Sequence, residues 1–300
     1  MTLDSLIVKA ASHKSTVVAV ASAADMDVLE AVVYAIQKNL ASFLLFDDEH
    51  KLKVLIEEQF PLLKDNPKVS IQHVSSTTDA ASNAVRAVSK GKADVLMKGN
   101  ISTSIILKEV LNKEYGLRTG NILSHVAAFE VSGYDRLLFI TDAAMNISPD
   151  LITKAQIIRN AVAAAHSCGV LEPIVAPLAA IETVNPAMIH TTDAASLVVM
   201  NRRGQIAGCI IDGPLALDNA ISPKAALHKG IVGETAGKAD ILVVPNIEAG
   251  NILYKSLVYF ANAKVGGIIQ GARAPIVLTS RADSAESKVY SLALAILSSK

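Results

Sequence analysis

The chain has 300 residues, of which 51% are hydrophobic, 4% are aromatic and none is Trp. Lys+Arg and Asp+Glu stand at 28 each, for a formal net charge of +0, and no basic stripe stands out. That balance argues against nucleic acid or an anionic membrane as a general partner, while leaving room for a local anion site.

With so few aromatics, the cores must be built from Ala, Val, Ile and Leu, the usual filling of a parallel sheet covered by helices on both faces. Taken in chain order, residues 16–20 read as a strand. Asp25 then opens a helix that sets Val28, Leu29, Val32, Val33 and Ile36 on one face. Residues 42–46 and 69–74 are the next strands, and 77–89 form a helix. A fourth strand at 93–97 runs into Lys98-Gly99-Asn100 and a helix over 102–112. Such alternation implies parallel strands joined by right-handed crossovers.

The pattern breaks at 122–130 and 136–141, two extended runs around Ser132-Gly133-Tyr134-Asp135 that predict a β-hairpin. Ser148-Pro149-Asp150 marks a helix start, with Pro near the first helical position. Further strands are expected near Ile174, Cys209, Ile241, Ile268 and Ile276, with helices between them. The same style on both sides of the break suggests two α/β domains with a cleft between, divided near residue 143.

Two cysteines, Cys168 and Cys209, are too few for a disulfide framework and suggest a reducing compartment. Met1-Thr2-Leu3-Asp4 does not open a basic region followed by an apolar one, so no signal peptide is expected. No uncharged apolar run reaches the roughly 18 residues that span a bilayer, so a soluble, cytoplasmic protein without membrane partners is expected.

No P-loop, no Gly-x-Gly-x-x-Gly after a strand and no Gly-x-Ser-x-Gly elbow is present, and the seven His and two Cys lack metal-ligand spacing. What remains are polar clusters at strand C-termini, where open α/β sheets place ligands. Lys98-Gly99-Asn100-Ile101-Ser102-Thr103-Ser104 can hold an anion through backbone N–H groups and a helix dipole, or Ser102 is an ordinary cap. Asp142 in Thr141-Asp142-Ala143-Ala144-Met145-Asn146 caps a turn or binds a ligand. Residues 212–218 and 245–255 combine turn chemistry with more polar side chains than a turn requires, namely Asn246, Glu248 and Asn251, and the run ends at Lys255. Ser280 and Arg281 end an apolar strand: the guanidinium offers a planar fork for phosphate, and the hydroxyl can donate to an oxyanion. Asp283 and Glu286 fit a capping-box-like pair for the last helix.

In this order, the clusters resemble the phosphate acetyl/butyryltransferase family. The matching segments are Lys98-Gly99-Asn100, Thr141-Asp142-Ala143, Asp212-Gly213-Pro214-Leu215, Gly237-Lys238-Ala239-Asp240, Pro245-Asn246, Glu248-Ala249-Gly250-Asn251 with Tyr254-Lys255, and Ser280-Arg281. Each is weak alone, and together they cover nearly the whole chain. The shorter N-terminal part and the ending Thr279-Ser280-Arg281-Ala282-Asp283-Ser284 look more like the butyryl branch.

The resemblance implies two three-layer α/β domains of the isocitrate/isopropylmalate dehydrogenase type, 1–143 plus 276–300 and 144–275, in a homodimer or a multiple of it. It implies direct acyl transfer between coenzyme A and phosphate, with both as substrates and neither a bound cofactor nor a metal. Ser280 would stabilise the charged intermediate and Arg281 would hold the phosphoryl group. Lys98, Asn100, Ser102, Thr103, Asp142, Asn146, Asn246, Glu248, Asn251 and Lys255 would line the substrates.

Two departures stand out. The Asp that serves as thiol base in the acetyl branch is Ser287 here, which leaves Glu286, or else Asp283, as the base. Glu286 is preferred because Asp283 stands where a cap belongs. An Arg expected after the first anion loop is replaced by Lys108 or lost. Competing readings are acetyl or branched-chain transfer, a dehydrogenase of the same fold, and a catalytically silent acyl-CoA-binding protein.

Overall fold

The computed structural model describes residues 1–12, 15–278 and 283–299. Its elements are α1 (Leu3–Ala11), β1 (Val17–Ala21), α2 (Met26–Gln37), β2 (Ser42–Asp47), α3 (Glu49–Gln59), β3 (Val69–His73), α4 (Thr77–Ser89), β4 (Val95–Lys98) and α5 (Thr103–Val110). There follow β5 (Ser124–Glu130), β6 (Leu138–Thr141), α6 (Leu151–Cys168), β7 (Ile174–Pro177), α7 (Ile189–Arg202), β8 (Ile210–Ile211), α8 (Leu217–Ile221) and α9 (Pro223–His228). The chain ends with β9 (Ile241–Val243), α10 (Ile247–Tyr259), β10 (Lys264–Gln270), β11 (Ile276–Val277) and α11 (Ala285–Ser298).

Contacts group these elements into two units, Leu3–Asn121 with Gly266–Lys300, and Ile122–Val265 with Met1–Thr2. The predicted hairpin, β5 antiparallel to β6 with Ala127 opposite Ile140, falls in the second unit. The sequence expectation of 1–143 had placed it in the first. The reason is a long-range pairing, β6 parallel to β9 with Phe139 opposite Ile241, which no local pattern reveals.

In the first unit the strand order is β3-β2-β1-β4-β11-β10. Strands β1, β2, β3, β4 and β11 run parallel. Val18, Ala19, Val20 and Ala21 are each 0% exposed, because helices cover both faces of the central strand, so its sequence is an unbroken apolar run rather than an alternation. Helix α2 buries Val28, Leu29, Ala31, Val32 and Ala35, and Asp25 caps it by accepting from Val28 N at 3.2 Å.

Helix α11 buries every residue from Lys288 to Leu297 against α1, α2 and β11, which is why its sequence is apolar all round. Each fully buried Leu or Ile there contributes about 1.5–3 kcal/mol.

Three local expectations change. No helix separates the strands near Ile268 and Ile276. Strands β10 and β11 are antiparallel neighbours joined by a short turn in which Gly271 takes a φ of 99°. Helix α6 is capped by Asp150, whose Oδ1 accepts from Thr153 N at 2.8 Å, so Pro149 lies before the cap. Helix α11 is capped by Ser284 and not by Asp283, Ser284 Oγ accepting from Ser287 N at 3.1 Å.

In the second unit the order is β5-β6-β9-β7-β8, with all but β5 parallel. The C-termini of the parallel strands, Thr141, Pro177, Ile211 and Val243, share one edge. The opposite edge holds Gly237-Lys238-Ala239-Asp240, one of the segments that carried the family resemblance. Asp240 Oδ2 accepts from Ile174 N at 2.8 Å and its own N–H donates to Ile174 O at 2.8 Å, pinning the starts of β7 and β9 together. Burial pushes the Asp240 carboxyl up, opposed by the Ile174 N–H and by Arg136. Gly237 takes a φ of 73°, and a Cβ there would lie 2.2 Å from Pro223 N. Gly237→Ala therefore costs about 3 kcal/mol through strain and overpacking, read as a lower urea midpoint. An unchanged midpoint would show that this turn rearranges freely.

Candidate active site

In the first unit the polar edge is built where β1, β2, β4 and β11 end. Lys98 closes β4 with its side chain buried, and its Nζ donates to Gly99 O at 3.2 Å. The chain then lies directly against the end of β1: Gly99 N donates to Ala21 O at 2.8 Å, and Asn100 N to Ser22 O at 2.8 Å. A Cβ on Gly99 would stand 2.0 Å from Ser22 O, so only glycine fits. Asn100, Ser102 and Thr103 are exposed. Ser102 is the cap of α5, its Oγ 3.4 Å from Ile105 N and 3.1 Å from Ser104 Oγ, so the bland reading of this serine holds. Lys108 is exposed in the last turn of α5.

Strand β11 ends at Val277 on the same edge; Ser280 and Arg281 lie outside the described residues. Just past them, Lys288 is buried and donates from Nζ to Asp283 O at 2.6 Å, with Asp27 Oδ2 at 3.8 Å. This cation ties the entry of α11 to α2. Glu286 Oε1 accepts from the Tyr290 hydroxyl at 2.7 Å, and the same hydroxyl lies 3.0 Å from Asp4 Oδ1. The phenol thus connects α11 to α1 and fixes the direction of the Glu286 carboxylate.

In the second unit, Asp142 is 2% exposed and spends its carboxylate on its own loop. Oδ1 accepts from Ala144 N at 3.0 Å and Met145 N at 2.9 Å; Oδ2 accepts from Asn146 N at 3.2 Å and Asn146 Nδ2 at 2.6 Å. Asn146 Nδ2 also donates to Leu123 O at 2.9 Å. Between the two uses open in the sequence, these bonds give Asp142 the turn-forming one. Helix α10 approaches this turn closely because residue 250 is glycine: a Cβ there would meet Val244 Cγ2 at 2.7 Å and the Asp142 carbonyl oxygen at 2.9 Å. Asn246 caps α10, accepting from Ala249 N at 2.9 Å. Glu248, Asn251 and Lys255 follow at helical spacing and are exposed, with Lys255 Nζ 5.6 Å from the Tyr254 ring centroid.

Sequence reasoning missed a buried polar cluster beside this edge. Lys154 on α6, 3% exposed, donates to Asp193 Oδ2 at 2.7 Å and to His190 Nδ1 at 3.0 Å, both on α7. Lys154, His190 and Asp193 face Pro177, Val243, Val244 and Pro245 across a small cavity. No local signal could have joined residues so far apart in sequence. Ser22 was also missed, although a lone serine between an apolar strand and a helix cap was visible. Among the described residues, no group of three or more His, Cys, Asp and Glu is placed to hold a metal ion.

Two α/β units that carry their polar loops on the carboxyl edge of a parallel sheet define an α/β enzyme of the dehydrogenase-like architecture. A family model described as phosphate acetyl/butaryl transferase matches residues 58–296, and the chain belongs to that family. A probable phosphate butyryltransferase of Bacillus subtilis is 54% identical over 300 residues, covering 100% of this chain and 99% of that one. The phosphate butyryltransferase of Clostridium beijerinckii is 49% identical over 98% of this chain and 96% of its own. Among solved structures, a branched-chain phosphotransacylase from Enterococcus faecalis superposes with a TM-score of 0.83 at 38% identity, covering 94% of this chain and 98% of that one. A 4-hydroxythreonine-4-phosphate dehydrogenase from Klebsiella pneumoniae shares the fold alone, with a TM-score of 0.57 at 11% identity over 95% of this chain and 100% of that one.

The missed cluster sets a pH limit on stability. An ammonium only donates, so His190 must accept at Nδ1 and be neutral. Burial first, then Lys154, pushes its pKa below the ordinary value, against the pull of Asp193. The unfolded chain then takes up a proton before the folded one as pH falls. This contribution is therefore complete above about pH 6.5 and lost on acidification. The urea midpoint of the wild type should fall from about pH 6.5 to 5 more steeply than that of His190→Gln, which keeps an acceptor but does not titrate. Parallel slopes would remove His190 from the acid response.

Proposed function

We propose that the chain is a phosphate butyryltransferase, interconverting butanoyl-CoA plus phosphate and butanoyl phosphate plus CoA. The observation that carries this reading is the full-length identity of 54% and 49% to butyryltransferases. In the direction of acyl-CoA synthesis, the CoA thiolate attacks the acyl-phosphate carbonyl. A C–S bond forms, the bond from the carbonyl carbon to the bridging oxygen breaks, and phosphate leaves with that oxygen, with no acyl group passing to the enzyme. Cys168 and Cys209 are both buried, and burial pushes the Cys209 thiol up to about 11, which supports a route without an enzyme thioester.

In this reading Lys98, Asn100, Ser102 and Thr103 hold phosphoryl oxygens. Glu248, Asn251 and Lys255 contact CoA, while Asp142, Asn146 and Asn246 act by shaping the loops that present them. Ser280 donates to the developing oxyanion and Arg281 clamps the phosphoryl group bidentately. The enzyme works in the cytoplasm as a homodimer or a multiple of it. The exposed Ile252, Tyr259 and Phe260 of the α10 region support a covered surface, and no described helix is long and apolar enough to cross a membrane.

A branched acyl group is the second reading, favoured by the Enterococcus faecalis structure. Free thiol release should occur from butyryl-CoA only with phosphate present. Equal release without phosphate would make the protein a thioesterase, and faster turnover of isobutyryl-CoA would select the branched-chain reading.

A free thiol with an ordinary pKa near 8.5 is only a few per cent ionised at neutral pH, so either a carboxylate takes its proton or Ser280 and nearby cations stabilise the thiolate without one. Because Ser284 does the capping, the capping argument against Asp283 is gone, and a carboxylate base would be either Glu286 or Asp283. Glu286→Gln keeps an acceptor for Tyr290 while removing the carboxylate. A fall of roughly 10²–10⁴ in kcat assigns the base to Glu286. Full activity in Glu286→Gln with a crippled Asp283→Asn assigns it to Asp283, and two active variants remove a carboxylate base from the mechanism.

A further inference from the structure

Ser22 stands immediately after β1 with a φ of 59°, in the left-handed region that glycine takes freely and that Asn or Asp takes at small cost. The conformation has a backbone purpose. It turns the chain so that Ser22 N and Ala23 N both reach Phe46 O, at 2.9 and 3.3 Å, and Ala24 N reaches Asp47 Oδ2 at 2.8 Å. Glycine would make that turn with less strain. What serine adds is a hydroxyl, and that hydroxyl is not used by any described residue. Ser22 is 3% exposed, and its Oγ has no hydrogen-bond partner among the described residues. A buried hydroxyl that has lost water and gained no partner is a net cost to folding. Two costs thus fall on one side chain with no return to stability, a pattern characteristic of functional positions.

Its position indicates the function. The Ser22 carbonyl is the surface on which the Lys98–Asn100 loop rests: Asn100 N donates to it at 2.8 Å, and Gly99 passes so close that a Cβ would be 2.0 Å from it. That loop brings the buried Lys98 to the carboxyl edge of the sheet. We propose that Ser22 is a phosphoryl-binding residue, its hydroxyl donating to an oxygen of inorganic phosphate or of the acyl phosphate. The assignment rests on the transferase reading above. A compact tetrahedral anion suits a hydroxyl this deeply buried at the edge that also carries the buried Lys98, whereas the CoA diphosphate belongs to a long ligand that reaches solvent.

The test uses Ser22→Ala and Ser22→Gly in the full-length protein, with phosphate and butyryl-CoA varied separately. Both variants should raise KM for phosphate by about 10- to 100-fold, the loss expected for a hydrogen bond to a charged oxygen. KM for butyryl-CoA should stay within about twofold. Without ligand, the melting temperature should be unchanged or higher, most so in Ser22→Gly, because Ser22→Ala removes only the unpartnered hydroxyl while Ser22→Gly removes the strain at a φ of 59° as well. The rise in melting temperature caused by inorganic phosphate alone should shrink in both. Unchanged KM for phosphate, a change confined to KM for butyryl-CoA, or activity loss that follows a lower melting temperature would each overturn the proposal. If the wild type shows no phosphate-dependent thiol release, the transferase reading fails. The phosphate-induced melting shift then still decides Ser22, and a wild type that does not respond to phosphate overturns it.

Discussion

The first unit depends on a backbone contact that excludes even a methyl group. Gly99 lies against the end of β1 with no room for a Cβ beside Ser22 O, and two hydrogen bonds from the Lys98–Asn100 loop seal the approach. A parallel sheet sets its neighbouring strands within hydrogen-bonding distance, but the loops leaving it normally splay apart as helices begin. Here the loop after β4 is held down on the loop after β1. The result is a buried Lys98 at the carboxyl edge, with the cap of α5 directly behind it. Everything placed at this edge inherits its position from that contact.

The same economy appears elsewhere in the chain. Asp142 fixes its loop with four hydrogen bonds from its two carboxylate oxygens, and Gly250 lets α10 settle against the turn so formed. Buried polar groups of this kind are stable only when fully satisfied, and Asp142 is. Ser22 is the contrast. It is equally buried, on the corresponding edge of the other unit, and its hydroxyl finds no partner among the described residues.

At the entry of α11, Lys288 holds the Asp283 carbonyl while Tyr290 holds the Glu286 carboxylate. Both anchors belong to one helix that is buried from Lys288 to Leu297, so they tie Glu286 in its first turn, and Asp283 just before its cap, to a well-packed element.

Much of this was legible in the amino-acid order. Unbroken apolar runs such as 17–21 announce strands buried on both faces. Asp25 and Ser102 announce helix starts, and Ser132-Gly133-Tyr134-Asp135 announces a hairpin, because each depends on contacts between residues a few positions apart. The family could be read from segments in register, although Gly237-Lys238-Ala239-Asp240 proved to be a structural clasp on the opposite sheet edge. The rest was decided by pairings between distant residues. Strand β6 joined β9, β10 turned directly into β11, and Lys154 met Asp193 across two helices. Local chemistry fixes which element forms and where it begins. Which strand edge or buried charge it meets depends on the packing of the whole chain, and no short window of sequence contains that information.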